Sequence, residues 1–199
     1  MFGPKDTRTV VRRLMILAGF VGALWLIQMI NAAVGYELNV GFGLIPRHIV
    51  GLDGVLGMPF LHVSYPHLVA NTPPLLLMGA LLALTATRAL ILVNGIIVVL
   101  GGVLVWLLGS HAIHVGASGL VFGWFGFLVA RGLVDRSVVT LATSLLIAVV
   151  YGSILWGVVP GQDGISWEAH LFGALAGVAA AVVVRAPVHG PRLRDVERT

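Results

Sequence analysis

The chain has 199 residues, 58% of them hydrophobic and only 10% charged, with a mean hydropathy of +1.02. A soluble domain of this size could not hide so much apolar surface, so lipid is the expected solvent for most of a single membrane domain. The net charge of +4 sits mainly at the two ends with no aromatic interleaving or folded basic face, which excludes nucleic-acid binding, and the absence of cysteine excludes disulfides, thiol catalysis and zinc–thiolate sites.

Hydropathy predicts an all-α membrane protein built as a bundle of six transmembrane helices, at approximately 13–34, 65–87, 89–108, 116–132, 138–159 and 168–186. Residues 1–12 form an N-terminal segment, 13–186 the membrane domain, and 187–199 a polar tail expected to be disordered. The first apolar run follows Lys5, Arg8, Arg12 and Arg13 as a signal sequence would. It is long enough to span, and Asn31-Ala32-Ala33 is a poor cleavage site, so a retained signal anchor is expected. The loop 35–64 is rich in glycine yet apolar and is expected to lie partly in the membrane interface.

Charge sets the orientation. With the N-terminus cytoplasmic, that side holds Lys5, Arg8, Arg12, Arg13, Arg88, Arg131, Arg136, Arg185, Arg192, Arg194 and Arg198, and the other side only Arg47. This is a strong positive-inside signal for a cell-membrane protein with both termini cytoplasmic. The fourth span is short: from Gly116 to Ala130 a helix covers about 22 Å, against a hydrocarbon core of about 30 Å. If it ends at the cytoplasmic surface near Arg131, the preceding residues 109–115 must dip into the membrane as non-helical backbone. Such backbone is tolerated only against protein or a wet cavity.

Polar residues then mark a site. Ser118, in Gly116-Ala117-Ser118-Gly119, opens the fourth span. Serine is a common cap and packing residue, but here the flanking glycines let a substrate backbone approach, and the helix N-terminus favours an oxyanion. His170 lies at the start of the sixth span, followed by Gly173 and Gly177 on one helical face. Gly119 and Gly123 form a matching face on the fourth, so the two helices are expected to pack closely and bring hydroxyl and imidazole together as nucleophile and base. His67 and Asn71, four apart on one face, come from the same end of the second span and offer donors to a tetrahedral oxyanion; interhelical hydrogen bonding is their structural alternative. Pro73 and Pro74 follow and are expected to kink that helix. His48, His62, His111 and His114 show no ligand spacing with a carboxylate, so no metal or cofactor is expected. Glu168 offers a third member to a serine–histidine pair.

These residues together resemble the rhomboid intramembrane serine proteases over about residues 55–180. Pro59-Phe60-Leu61-His62 with His67 and Asn71 looks like the family's second-helix pattern, Gly116-Ala117-Ser118-Gly119 its nucleophile motif, and Ala169-His170 with Gly173 and Gly177 its histidine helix. The resemblance implies a protease that cuts transmembrane protein substrates in the lipid bilayer, at a small residue in a locally unstable helix, with a Ser118–His170 dyad. It also implies an oxyanion site of Asn71, His67 and the Ser118 backbone N–H, and a structural His62. The chain departs from the family twice. Phe122 stands where a tyrosine often supports the histidine, leaving ring stacking without the hydroxyl, and the first loop has Arg47 but lacks the tryptophan of a frequent Trp-Arg pair. The competing readings are a rhomboid-like pseudoenzyme that binds membrane helices, and an unrelated six-span transporter. The first usually lacks the serine or histidine present here, and the second would favour charges deep in the spans.

Overall fold

The computed structural model describes residues 7–85, 89–135, 137–162 and 164–184. Lys5, Arg88, Arg136, Asp163, Arg185, Arg192, Arg194 and Arg198, and with them the tail 187–199, lie outside the described residues. The α-helices of the described chain are α1 (Thr7–Ala33), α2 (Glu37–Phe42), α3 (Gly54–Gly57), α4 (Tyr65–Thr85), α5 (Leu90–Leu108), α6 (Ser118–Asp135), α7 (Val138–Tyr151) and α8 (Trp167–Val183). A 3₁₀ extension, Gly152–Val158, carries α7 onward. Among the described residues the only β feature is an isolated bridge between Leu44 and His114.

Five helical runs are long and apolar enough to cross a membrane: α1, α4, α5, α6 and Val138–Val158. The sixth expected span, α8, is apolar but only 17 residues long. The chain is therefore a multi-pass, all-α membrane protein. Burial sorts the spans into centre and rim. In α6, 61% of the apolar window is buried inside the protein, against 11% in α1 and in Val138–Val158. The exposed flanks of the rim helices, such as Ile91, Val138 and Val149, are apolar, as a lipid-facing surface requires.

Two boundaries differ from the sequence reading, the start of α1 and the end of α6. α1 begins at Thr7, within the basic stretch, and Arg13 reaches across to donate to the Ala83 carbonyl. α4 continues through Pro73 and Pro74 to Thr85 without interruption. Thr72 and Asn71 just above return hydrogen bonds to the carbonyls of Leu68 and His67, which keeps polar side chains satisfied beside the prolines. α6 does not end near Ala130 but runs to Asp135, about 27 Å in all. Arg131 allows this because its charge is met locally, by Asp135 one turn on, by the Thr85 carbonyl and by the face of Phe127. The depth of Ser118 therefore no longer follows from helix length alone.

The central contact is between α6 and α8. A methyl group on Gly173 would overlap the Gly119 carbonyl oxygen, one on Gly177 the Gly123 carbonyl oxygen, and one on Gly126 the Ala174 carbonyl oxygen. Gly101 of α5 faces Gly173 from the other side, with the Gly173 Cα 3.5 Å from where a Cβ would stand. Side-chain-free strips of this kind let backbones touch where lipid supplies no hydrophobic drive to pack helices. Gly116 is not part of the strip; it precedes α6 and serves the site instead. A polar tie between Trp124 Nε1 and Asn94 Oδ1, 2.8 Å, joins α6 to α5. Gly177→Ala is expected to destabilise by about 1–3 kcal/mol through overpacking. Gly22→Ala on α1, which meets nothing within 4 Å, should be neutral or stabilising by up to about 1 kcal/mol. Thermal unfolding of both variants in detergent checks the contrast.

Candidate active site

Two non-helical segments shape one end of the bundle. In the first loop, Arg47 adopts φ 56° and sends its guanidinium to the carbonyls of Leu107 (3.3 Å) and Gly109 (2.8 Å) at the C-terminal end of α5. Cations are favoured there, since the last carbonyls of a helix lack internal partners. Trp106 of α5 donates from Nε1 to the His48 carbonyl at 3.0 Å. The tryptophan absent from the loop is thus matched by one that reaches the loop from the neighbouring helix. Nothing in the loop's own composition indicates that contact.

The second segment, 109–117, delivers Ser118. Its backbone is satisfied piece by piece: Leu44 and His114 exchange both hydrogen bonds, Gly116 N–H donates to the Met58 carbonyl, and Ala117 N–H donates to His62 Nε2 at 3.3 Å. His62 is fully buried, and Asn31 and Asn39 hold its carbonyl. Its ring is a structural acceptor under the segment that leads to Ser118. Burial, aided by the neighbouring His67, pushes the His62 imidazole down to about 3, so it stays neutral and able to accept.

Gly116 has φ 135°, a conformation L side chains avoid, and a Cβ there would lie 2.7 Å from His67 Cε1. The same point is 3.0 Å from His67 Nε2 and 3.4 Å from Ser118 Oγ, so bare backbone at Gly116 brings the His67 ring edge beside the serine hydroxyl. Ser64 caps α4 by accepting the His67 N–H, which fixes where the helix and its histidine begin. Asn71, buried one turn below, donates to the His67 carbonyl at 2.9 Å. One amide N–H of Asn71 remains for another acceptor. Ser118 starts α6, whose intrahelical ladder opens with Val121 N–H to Ala117 O, so the Ser118 N–H lies ahead of the first helical bond.

From the other side, Ser166 caps α8 by accepting the Ala169 N–H, and His170 follows in the first turn. Its Nδ1 is 2.8 Å from the Gly157 carbonyl oxygen. A carbonyl can only accept, so Nδ1 carries the proton and Nε2 of the neutral ring is the free base. Phe122, on α6 one turn from Ser118, lies flat on the imidazole, ring centroids 4.1 Å apart and planes 6° from parallel. Gly119, next to Ser118, packs on Ala169, next to His170: a Cβ on the glycine would be 3.3 Å from the Ala169 carbonyl oxygen.

Ser118, His170, Asn71, His67 and Phe122 all line a single cavity of about 550 Å³. Among the described residues, Ser118 Oγ and His170 form no direct hydrogen bond; they share the cavity wall, with the imidazole oriented by Gly157 and Phe122. Among the described residues Glu168 makes no hydrogen bond to His170. It accepts the Ser110 N–H at 3.1 Å. His111 lies against Arg47, and His114 against Ser166 and Ser110.

Sequence reading missed Gly157. It lies in the 3₁₀ extension of α7, where a Cβ would meet His170 Nδ1 at 2.8 Å and Phe122 Cζ at 3.0 Å. A glycine in the otherwise bulky run Leu155-Trp156-Gly157-Val158 is the only trace it leaves.

Ser118, His170, His67 and Asn71 thus line one cavity of a helical membrane domain. The rhomboid-domain family profile matches residues 51–187, and the chain belongs to the rhomboid family. It is similar to an uncharacterised protein of Mycobacterium tuberculosis, 42% identical over 192 residues, covering 92% of this chain and 79% of the relative. An uncharacterised protein of Mycobacterium bovis matches to the same extent. One from Mycobacterium leprae is 37% identical over 202 residues, covering 93% and 79%.

Two outcomes follow from this geometry. Gly157→Ala, whose new methyl presses on the imidazole, should lower turnover by about tenfold or more while the thermal midpoint changes little. Parallel activity and unfolding assays read the two effects separately. His62 has a folded-state value depressed from 6.5 to about 3, so its contribution to stability is complete above 6.5 and declines as pH falls toward 3. His62→Gln, which keeps an acceptor for Ala117 N–H but does not titrate, should flatten that slope of thermal midpoint against pH.

Proposed function

We propose that this chain is an intramembrane serine endopeptidase of the rhomboid type, cleaving transmembrane-helix substrates with Ser118 and His170. The observation that carries the reading is the shared cavity, in which Ser118, His170, Asn71 and His67 meet from three helices, with the imidazole held in its Nδ1–H form. Ser118 Oγ attacks the scissile carbonyl carbon while its proton passes to His170 Nε2. The tetrahedral oxyanion is met by the Ser118 N–H, the free Asn71 N–H and His67 as its Nε2–H tautomer. The C–N bond then breaks, and His170 returns the proton to the leaving amine. Water, deprotonated by the same Nε2, hydrolyses the acyl-enzyme and restores both groups. Neither step asks for a metal or cofactor.

The same reading takes α8 as the sixth span, about 25 Å long, with both termini cytoplasmic. Arg13 and Arg131 gather at the C-terminal end of α4, and Arg47 lies at the opposite end, beside the site. This distribution supports the positive-inside orientation, in which the cavity lies at the non-cytoplasmic end. The pseudoenzyme reading is less economical, since both nucleophile and base are present on one cavity wall.

Ser118→Ala and His170→Ala should each abolish cleavage of a helical membrane substrate and covalent labelling by a fluorophosphonate, with folding retained. The double variant should be no worse than either single one, because the pair acts as a unit. Full cleavage by Ser118→Ala would remove it as nucleophile, and multiplicative losses would argue against one dyad.

A further inference from the structure

A second polar cluster lies in the same cavity wall, unused by the chemistry above. Ser110, His114, Ser166 and Glu168 all line the cavity, and His114 and Glu168 are buried. Ser110 N–H donates to Glu168 Oε1 at 3.1 Å. The Ser110 carbonyl is 3.1 Å from His114 Nε2, so in the neutral ring Nε2 carries the proton. His114 Nδ1 then accepts from the Ser166 hydroxyl at 2.5 Å, and the Ser166 oxygen accepts the Ala169 N–H at 3.4 Å. A closed set of bonds therefore runs from the backbone of 109–117 to the first turn of α8.

Its position along the chain gives it a purpose. The segment 109–117 is otherwise tied to the first loop, Leu44 to His114, Arg47 to Gly109, Met58 to Gly116 and His62 to Ala117, and through the Gly109 N–H to the Val105 carbonyl of α5. Among the described residues, hydrogen bonds from that segment to α8 and its cap come only from the Ser110–His114–Ser166–Glu168 set. The segment ends at Ser118, and Glu168 is two residues before His170. The glycine strip fixes the register of α6 on α8, but it holds neither Ser110 nor His114 of the loop that leads into α6. A displacement of about 1 Å between reacting groups can cost about 100-fold in rate. Glu168 takes part through an acceptor oxygen on the Ser110 N–H, a role that a neutral amide oxygen can also fill.

Resting on the protease reading, we infer that Glu168 and His114 are positioning residues: they clamp the nucleophile loop to the histidine helix and so set the Ser118–His170 geometry. The clamp acts through the acceptor at Glu168, so glutamine should serve where alanine does not.

The test compares Glu168→Ala, Glu168→Gln and His114→Ala with the wild-type protein in detergent, with Ser118→Ala alongside. Glu168→Ala and His114→Ala should lower kcat by about 10- to 100-fold with KM nearly unchanged, and combining them should add little. Glu168→Gln should stay within about threefold of wild type. Amide hydrogen exchange should rise across 109–117 in the alanine variants and not in Glu168→Gln. Unchanged exchange in Glu168→Ala, equal damage from glutamine and alanine, or a fall in kcat that only tracks lost folded protein would each overturn the clamp. Cleavage by Ser118→Ala would instead overturn the protease reading, and the exchange measurement would still decide the clamp.

Discussion

Backbone oxygens of Gly119 and Gly123 occupy the space that side chains at Gly173 and Gly177 would fill, and the rest of the site is hung on that contact. Lipid tails are as apolar as leucine, so two membrane helices gain little by hiding apolar surface from each other. What holds α6 against α8 is the close fit of backbone on backbone. Such a fit admits one rotation and one register, because a slip of one residue would put a side chain where a carbonyl now lies. Fixing that register also fixes what stands at the helix ends. Ala169 comes to Gly119, Phe122 lies under the His170 ring, and Ser118 is one turn further along the same face.

The second constraint is the irregular backbone beside the site. Non-helical peptide groups near a membrane must find partners inside the protein. Here the donors and acceptors come from a few polar side chains used more than once. Arg47 supplies the carbonyls at the end of α5, His62 takes the Ala117 N–H, and Asn31 and Asn39 hold the His62 carbonyl from the first helix and the loop after it. The first loop is therefore the floor on which residues 109–117 are laid. The conformation at Gly116, open only to glycine, turns that floor upward into α6 and leaves room for the His67 ring.

How much of this was legible in the sequence depends on the kind of information each feature carries. Apolar runs are legible because hydropathy is a local property summed over many residues: five of the six fall on helices long enough to cross a membrane, α1, α4, α5, α6 and α7 with its extension, and the sixth on the shorter α8. The small-residue strip is legible because spacing on a helix maps directly onto a face. Helix ends are less so. α6 outruns its expected end because Arg131 finds Asp135, Thr85 and Phe127, and two of those three partners require knowledge of packing or of the next turn. Gly157 was invisible for a stronger reason. It contributes a carbonyl, which every residue has, and only the folded chain shows whose carbonyl faces His170. The tie between Trp106 and His48 is hidden in the same way, being a side chain of one element bonded to the backbone of another.

The use of a carbonyl behind His170 has a physical logic of its own. A carboxylate in that position would hold the same tautomer and would stabilise an imidazolium more strongly, but as a charge beside apolar helices it would need further partners to offset its desolvation. A backbone carbonyl has already lost its water on folding and adds no net charge. It orients the ring and leaves Nε2 free at little cost in stability. The one carboxylate nearby, Glu168, is hydrogen-bonded to the Ser110 N–H and reaches the base only through space. In the proposed reaction the imidazolium is in direct contact with the Gly157 carbonyl and the Phe122 face but with no carboxylate, so more of the barrier reduction falls to the oxyanion donors. Those donors come from backbone and from α4, elements already held rigid by the cap at Ser64 and the turn at Gly116, which is the condition for electrostatic stabilisation without reorganisation.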